Sequence, residues 1–171
     1  MNPMGAPGSE SDGSRNAQTC FGFEAEFTGD LRCIPMAVRR KLDLAGVKLK
    51  LVHWSELTVA ERQLLLAWPD GTAAVAELRL WLLERTAQQT AGGARTQPIA
   101  YQESWQQQQE TPPAVHQACS EQGVLLCDAA WAGLSELQRF ALVKLSHGGH
   151  EHRNLPLALA EFGVGAGLKS P

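Results

Sequence analysis

Two segments of this chain match each other at a constant offset of 77 residues with no gap, and nothing else in the sequence constrains the fold as much. Pro35, Ala37 and Val38 recur as Pro112, Ala114 and Val115. Gly46, Val47 and Leu49 recur as Gly123, Val124 and Leu126, and Trp54 and Leu57 as Trp131 and Leu134. Arg62, Leu65 and Gly71 return as Arg139, Leu142 and Gly148, then Leu78, Leu80, Leu82 and Glu84 as Leu155, Leu157, Leu159 and Glu161. Fifteen of the fifty positions from 35 to 84 are identical in this way, where the composition would give roughly three or four. The reading is an internal duplication. A unit of about 50 residues is marginal as a free domain, so the copies are expected to pack on each other about a pseudo-twofold axis as one all-α domain.

Each copy carries helix punctuation in the same places. Pro35 or Pro112 suits a first helical turn, where a missing amide donor does no harm, and Gly46 or Gly123 suits a left-handed C-terminal cap. Helix A therefore spans about 35–45 and again 112–122. Thr58 with Glu61, and Ser135 with Gln138, form capping boxes that open helix B. Helix C of the first copy is the run 73–86, with Val75, Leu78 and Leu82 on one face. In the second copy Asn154 as N-cap and Pro156 shorten it to about 155–162, and 146–153 becomes a loop. The predicted three-helix units are thus 35–86 and 112–163, within a domain of 20–164. A second arrangement pairs the alternating Val47, Leu49 and Leu51 with Val124 to Leu126 as a small ribbon.

Residues 1–19 hold almost nothing to bury and are expected to be a disordered tail, as is the flexible end at 165–171. The glutamine-rich stretch 87–111, including Gln106 to Gln109, is read as a linker, with Tyr101 and Trp105 marking a part that docks. A net charge of -3 and 19% charged residues argue against a protein that coats nucleic acid. No apolar run reaches the roughly 20 residues of a membrane span, and residues 1–19 lack the apolar core of a signal peptide. The protein is expected in the cytoplasm, with Cys20, Cys33, Cys119 and Cys127 as thiols.

Positions kept in both copies are read as structural: Gly46 with Gly123, Trp54 with Trp131, and Arg62, Arg139, Glu84 and Glu161 as an Arg-to-Glu bridge between helices B and C of each unit. Function is sought where the copies differ. From Leu31 to Lys50 stand Arg32, Arg39, Arg40, Lys41, Lys48 and Lys50 against Asp43, whereas the matching stretch carries only Glu110 and Glu121. With Val38, Leu42 and Ala45 on the inner stripe, Arg39, Arg40 and Asp43 are expected to face outward toward an acidic partner or solvent.

Signals for chemistry are thin. His147, His150 and His152 are weak metal-ligand candidates whose spacing fits no standard zinc pattern. Cys33 stands beside Arg32 at the start of helix A, where both would lower a thiol's pKa. It has no evident partner histidine, so a small buried hydrophobe is the plainer reading. No phosphate loop, nucleotide fingerprint or catalytic triad is present, and no enzyme activity or cofactor is expected.

Specific strings resemble a known family. They are Phe21-Gly-Phe-Glu-Ala-Glu-Phe27, Leu31-Arg-Cys-Ile-Pro-Met-Ala-Val-Arg39, Lys41 to Leu49, Trp54 with Glu61-Arg62, and Gln138 to Leu145 through His150-Glu-His-Arg-Asn154 to Glu161-Phe-Gly163. Together they are similar to the nitrate reductase associated proteins, related to a cyanobacterial factor for maturation of assimilatory nitrate reductase. The resemblance implies an accessory maturation factor or dedicated chaperone that binds the apoenzyme or its cofactor-insertion machinery. Its partner-binding candidates are Phe21, Phe23, Glu24, Arg32, Cys33, Arg39, Arg40 and Lys41, as hydrophobic anchors beside a charged rim. Where the family often carries Pro-Cys this chain has Pro69-Asp70, so no metal or redox role of that cysteine carries over. The alternative reading is a small metal- or cofactor-carrying protein that uses Cys33 and the three histidines.

Overall fold

The computed structural model describes residues 20–165; the tails expected at 1–19 and 165–171 lie outside the described residues, except for Gly165. The described chain is mainly helical. After a 3-10 turn at Gly22–Glu24 come α1 (Ala25–Thr28), α2 (Met36–Ala45), α3 (Leu51–Glu56), α4 (Val59–Ala67) and α5 (Thr72–Thr86). They are followed by α6 (Pro113–Glu121), α7 (Asp128–Gly133), α8 (Glu136–Ser146) and α9 (Leu155–Glu161). Strands β1 (Val47–Lys48) and β2 (Arg95–Thr96) pair antiparallel, Val47 opposite Thr96.

The local signals act where their chemistry requires. Pro35, expected in the first turn, is instead the extended residue before α2, at ψ 153°. Gly46 ends it in the left-handed conformation at φ 64° and donates to the carbonyls of Asp43 and Leu42, a conformation that costs a residue with a Cβ about 1–2 kcal/mol. The Thr58 hydroxyl accepts from Glu61 N at 3.2 Å while Thr58 N donates to the Glu61 carboxylate at 2.8 Å. Ser135 and Gln138 repeat this at the start of α8. The backbone of Asn154 precedes α9, but its side chain makes no cap bond.

Two short helices went unpredicted. Leu51–Glu56 and Asp128–Gly133 are helical where the alternation of Val47, Leu49 and Leu51 reads as extended, because six residues are too few to show a 3.6-residue period. Their boundaries, too, stand 77 residues apart. The loop expected before α9 contains a 3-10 turn at His150–Asn154. The ribbon alternative is corrected as well: β1 pairs with Arg95–Thr96, not with Val124 to Leu126.

The stretch 87–111 is no free spacer. Thr86, fully buried, donates its hydroxyl to Leu82 O and accepts from Ala94 N. Gln97 N and Ala100 N then donate to Gly46 O and Asp43 O, each at 2.9 Å, which satisfies carbonyls left open at the end of α2. Trp105 is buried edge-on to Phe140, with centroids 5.2 Å apart. Tyr101, expected to dock, is 78% exposed.

Two apolar clusters form. One gathers Trp54, Leu65, Leu78 and Leu82 with Val38, Leu42 and Ala45 of α2. The other gathers Trp131, Phe140, Leu142 and Leu155 with Met36 and Ala37 of the same helix, while Leu44 and Leu66 pack against both. Helix α2 therefore serves two cores at once.

The repeated arginines do not bridge to the repeated glutamates. Arg62 donates to the carbonyls of Trp54, Leu31 and Ser55, and Arg139, buried, to those of Trp105 and Leu134. Glu84 is exposed, and Glu161 accepts from Gly22 N and Phe23 N at 2.8 and 2.9 Å. The ion pair that does join α4 to α5 is Glu61 with Arg85. A guanidinium with five donors serves better as a clamp on main-chain carbonyls at a helix end than as half of a surface pair.

Candidate functional site

The segment Phe21 to Leu31 wraps the start of α2. Phe21 stacks on Phe23 at 5.3 Å, and both meet Phe162, at 5.0 and 6.0 Å. These rings, expected as outward anchors, instead fasten the segment to the end of α9, with Phe23 buried.

Glu24 lies beneath them, 5% exposed. Its carboxylate accepts from Met36 N at 3.2 Å and from Phe21 N at 3.3 Å. Burial pushes its pKa up to about 7; the two backbone donors and the nearby Arg39 pull it down, and Glu161 adds a small push upward. Removal from water outweighs the compensation.

Arg40 and Lys41 are the main correction to the expected basic face. Arg40 is buried and held by Asp70 at 2.9 Å and Glu136 at 2.5 Å, so α2, the turn before α5 and the start of α8 are tied together by charge-assisted bonds. Asp70 thus answers a structural need of this chain. Lys41, with no exposed surface, donates to Leu65 O and Leu66 O at the end of α4. Burial holds its pKa down at about 8, against the upward pull of Asp70. Neither side chain is offered to a partner.

The remaining candidates lie at the surface. Arg32 is exposed and paired with Asp30, while Cys33 and Arg39 are half-buried. Cys33, Ile34 and Arg39 line two adjoining depressions. One, of about 210 Å³, includes Glu24, Met36 and Arg153; the other, of about 350 Å³, includes Lys48, Leu49, Leu51 and Lys144.

His147 is exposed, and His152 Nδ1 lies 3.1 Å from Leu145 O, which can only accept, so that nitrogen carries a proton. The side chain of His150 lies outside the described part. Among the described residues, no three His, Cys, Asp or Glu side chains converge as a metal site. Burial raises the pKa of Cys119 to about 11 and also raises that of Cys20. Among the described residues no helix is long and apolar enough to cross a membrane.

The family described as conserved nitrate reductase-associated protein matches residues 20–162. The chain belongs to this family. No curated protein and no solved structure matches it. The two ends of the span matched to the nitrate reductase-associated proteins meet in space, at the contact of Phe21 with Phe162. The span includes Arg39, Cys33 and the depressions they line, and also the glutamine-rich stretch.

Residues that sequence reasoning missed at this site are Lys144, Gln97 and Leu51, which come from α8, the 87–111 stretch and α3. They converge only through tertiary packing. Lys48 was visible as part of the basic excess.

Proposed function

We propose that this nitrate reductase-associated protein is an accessory maturation factor or dedicated chaperone for assimilatory, molybdenum-containing nitrate reductase, acting in the cytoplasm by protein-protein binding and without turnover of its own. The observation that carries the reading is the accessible edge Arg32-Cys33-Ile34 with Arg39, which opens on a depression of about 350 Å³ that mixes apolar walls with cations. In a chain whose family is described by association with that reductase, such an edge suits a transient interface. The contact is with the apoenzyme or with the machinery that inserts its cofactors. Phe21, Phe23, Glu24, Arg40 and Lys41 support the surface from within rather than touch the partner.

The scaffold is read as a duplicated unit within one folding domain of about 20–164. Support comes from capping boxes at Thr58 and Ser135 and from α3 and α7, all at the 77-residue offset.

The test is nitrate reductase activity, cofactor content and protein level in cells deleted for this protein. Normal reductase protein with low activity is expected, restored by the wild-type chain and poorly restored by an Arg32→Glu, Arg39→Glu variant. Undiminished activity in the deletion would remove the maturation role.

A further inference from the structure

Helices α4 and α8 begin 77 residues apart, each at a capping box, and the same face of each meets different surroundings. On α8, Leu137, Phe140, Ala141 and Leu145 are buried, and Ala158 of α9, also buried, joins their cluster. The main cover is a helix. Helix α2 and the turn Ser104–Gln106 lie against α8, bringing Met36 and Ala37 into that cluster and Trp105 edge-on to Phe140. On α4 the positions 77 residues earlier are Ala60, Gln63, Leu64 and Trp68. The first three are exposed, Leu64 to 46%, and Trp68 is half-buried. Trp81 of α5, which stands where α9 has Ala158, is half-buried too and meets Trp68 at a centroid separation of 5.8 Å.

Ala60, Leu64 and Ala67 recur at helical spacing and form one exposed stripe, which runs down to the pair of Trp68 with Trp81. No side chain in it is charged, and tryptophans are among the residues that most often anchor an interface. The helices of this chain that could cover it are engaged elsewhere. Val38, Leu42 and Ala45 of α2 lie in one core with Met36 and Ala37 in the other, and α6 packs Val115, Ala118 and Cys119 into the second.

The rim of the stripe is acidic. Glu77 and Glu84 lie one turn before and one turn after Trp81 on α5, both exposed, and neither enters an ion pair among the described residues. The cations of α4 and α5 are committed: Arg85 to Glu61, Arg62 to the carbonyls of Trp54, Leu31 and Ser55, and Arg79 to those of Ala45 and Gly46. The nine residues of α4 rise about 14 Å and two neighbouring helices span about 20 Å, so the face is on the order of 300 Å², well below the roughly 800 Å² per partner of a stable interface. Two copies meeting here would bury too little to hold a dimer and would set carboxylate rims against each other. A single helix fits the seam.

We infer that this seam of α4 and α5 docks an amphipathic helix of a partner protein, apolar along one stripe and flanked by lysine or arginine. Its stripe lies on Ala60, Leu64, Trp68 and Trp81, in the place that α2 holds on α8, and its cations meet Glu77 and Glu84. The seam shares no residue with the edge from Arg32 to Arg39, so this inference goes beyond the function proposed above and does not depend on it.

The probe is a synthetic helical peptide of about five turns with a leucine stripe flanked by lysines, and a twin with glutamate in place of lysine. Titrated into the isotopically labelled full chain, the lysine peptide should move the indole N–H resonances of Trp68 and Trp81 and leave those of the buried Trp54, Trp105 and Trp131 in place. Its affinity should fall as salt rises, and the glutamate twin should bind roughly tenfold or more weakly. The double variant Glu77→Lys, Glu84→Lys should lose a similar factor, and Leu64→Ser, at an exposed position, about fivefold or more. Leu157→Ser, exposed on α9, should bind as wild type, and helical circular dichroism should be unchanged in all three variants. Failure of the lysine peptide to move Trp68 and Trp81, or wild-type binding by either the charge-reversed or the Leu64→Ser variant, overturns the inference. So does a dimer of the chain alone that Leu64→Ser dissolves, since the occupant is then a second copy.

Discussion

Trp54 donates its indole N–H to the carbonyl of Leu31 at 2.7 Å, and Leu31 holds a left-handed backbone at φ 57°. Arg62 reaches the same carbonyl at 3.2 Å. A fully buried indole thus fixes the strained turn that delivers the chain to α2. Trp131 does the same for Gln107 O at 2.9 Å. Trp54→Phe should cost about 2–3 kcal/mol, from lost volume and a lost bond. Urea unfolding should show a lower midpoint with unchanged slope; a loss below about 0.5 kcal/mol would mean that Arg62 alone holds the turn.

Arg40 bears on Asp70 and Glu136 together. Arg40→Ala should destabilise by about 3–5 kcal/mol, since it strands two half-buried carboxylates near a buried site. Arg40→Met should recover part of that loss through the packing of its chain. A double-mutant cycle with Asp70→Asn should show a coupling of about 1 kcal/mol or more, and simple additivity would show that the two groups do not act together.

Glu24 gives stability a pH dependence of unusual sign for a carboxylate. Its folded pKa is raised from the model-peptide value of 4.5 to about 7, so the native state binds the proton more tightly than the unfolded chain. Its contribution is full below about pH 4.5 and is lost as pH rises through about 7, a span of about 3 kcal/mol. Glu24→Gln should flatten this slope. Urea midpoints of both proteins between pH 5 and 8 decide it, and parallel curves would contradict the assignment.

Gly46 and Gly123 look alike in sequence and differ in surroundings. Both have positive φ, 64° and 72°, but a Cβ at Gly46 would stand 2.7 Å from Arg79 Nη1 and from Gln97 O, whereas one at Gly123 meets nothing within 4 Å. Gly123→Ala should cost about 1 kcal/mol from backbone strain alone. Gly46→Ala should cost about 2–4 kcal/mol, because the returning stretch at Gln97 must also move. Thermal melting of the two variants side by side tests the difference.

The helix ends were legible because capping is local: Thr58 with Glu61 and Gly46 after Ala45 act within one turn. Helices α3 and α7 were not, since each is shorter than two turns. The interior basic residues were hidden for a different reason. Reading Val38, Leu42 and Ala45 as the inner stripe of α2 treats Arg40 as surface, yet Asp70 and Glu136 come to it from distant loops and helix starts, and Lys41 finds carbonyls at a helix end. No periodicity marks a carbonyl as a partner. The partners of Asp43 were invisible likewise, because Gln97 and Lys144 reach it from segments 54 and 101 positions away.

Helix α2 lends Met36 and Ala37 to one core and Val38, Leu42 and Ala45 to the other. Scission of the exposed Gly92-Gly93 link would therefore not release two autonomous miniatures. The later fragment would carry an unfilled hollow shaped to the first turn of α2, and the earlier fragment would carry the plug. Supplied as separate polypeptides, the pieces should find each other and reassemble, as in a split reporter.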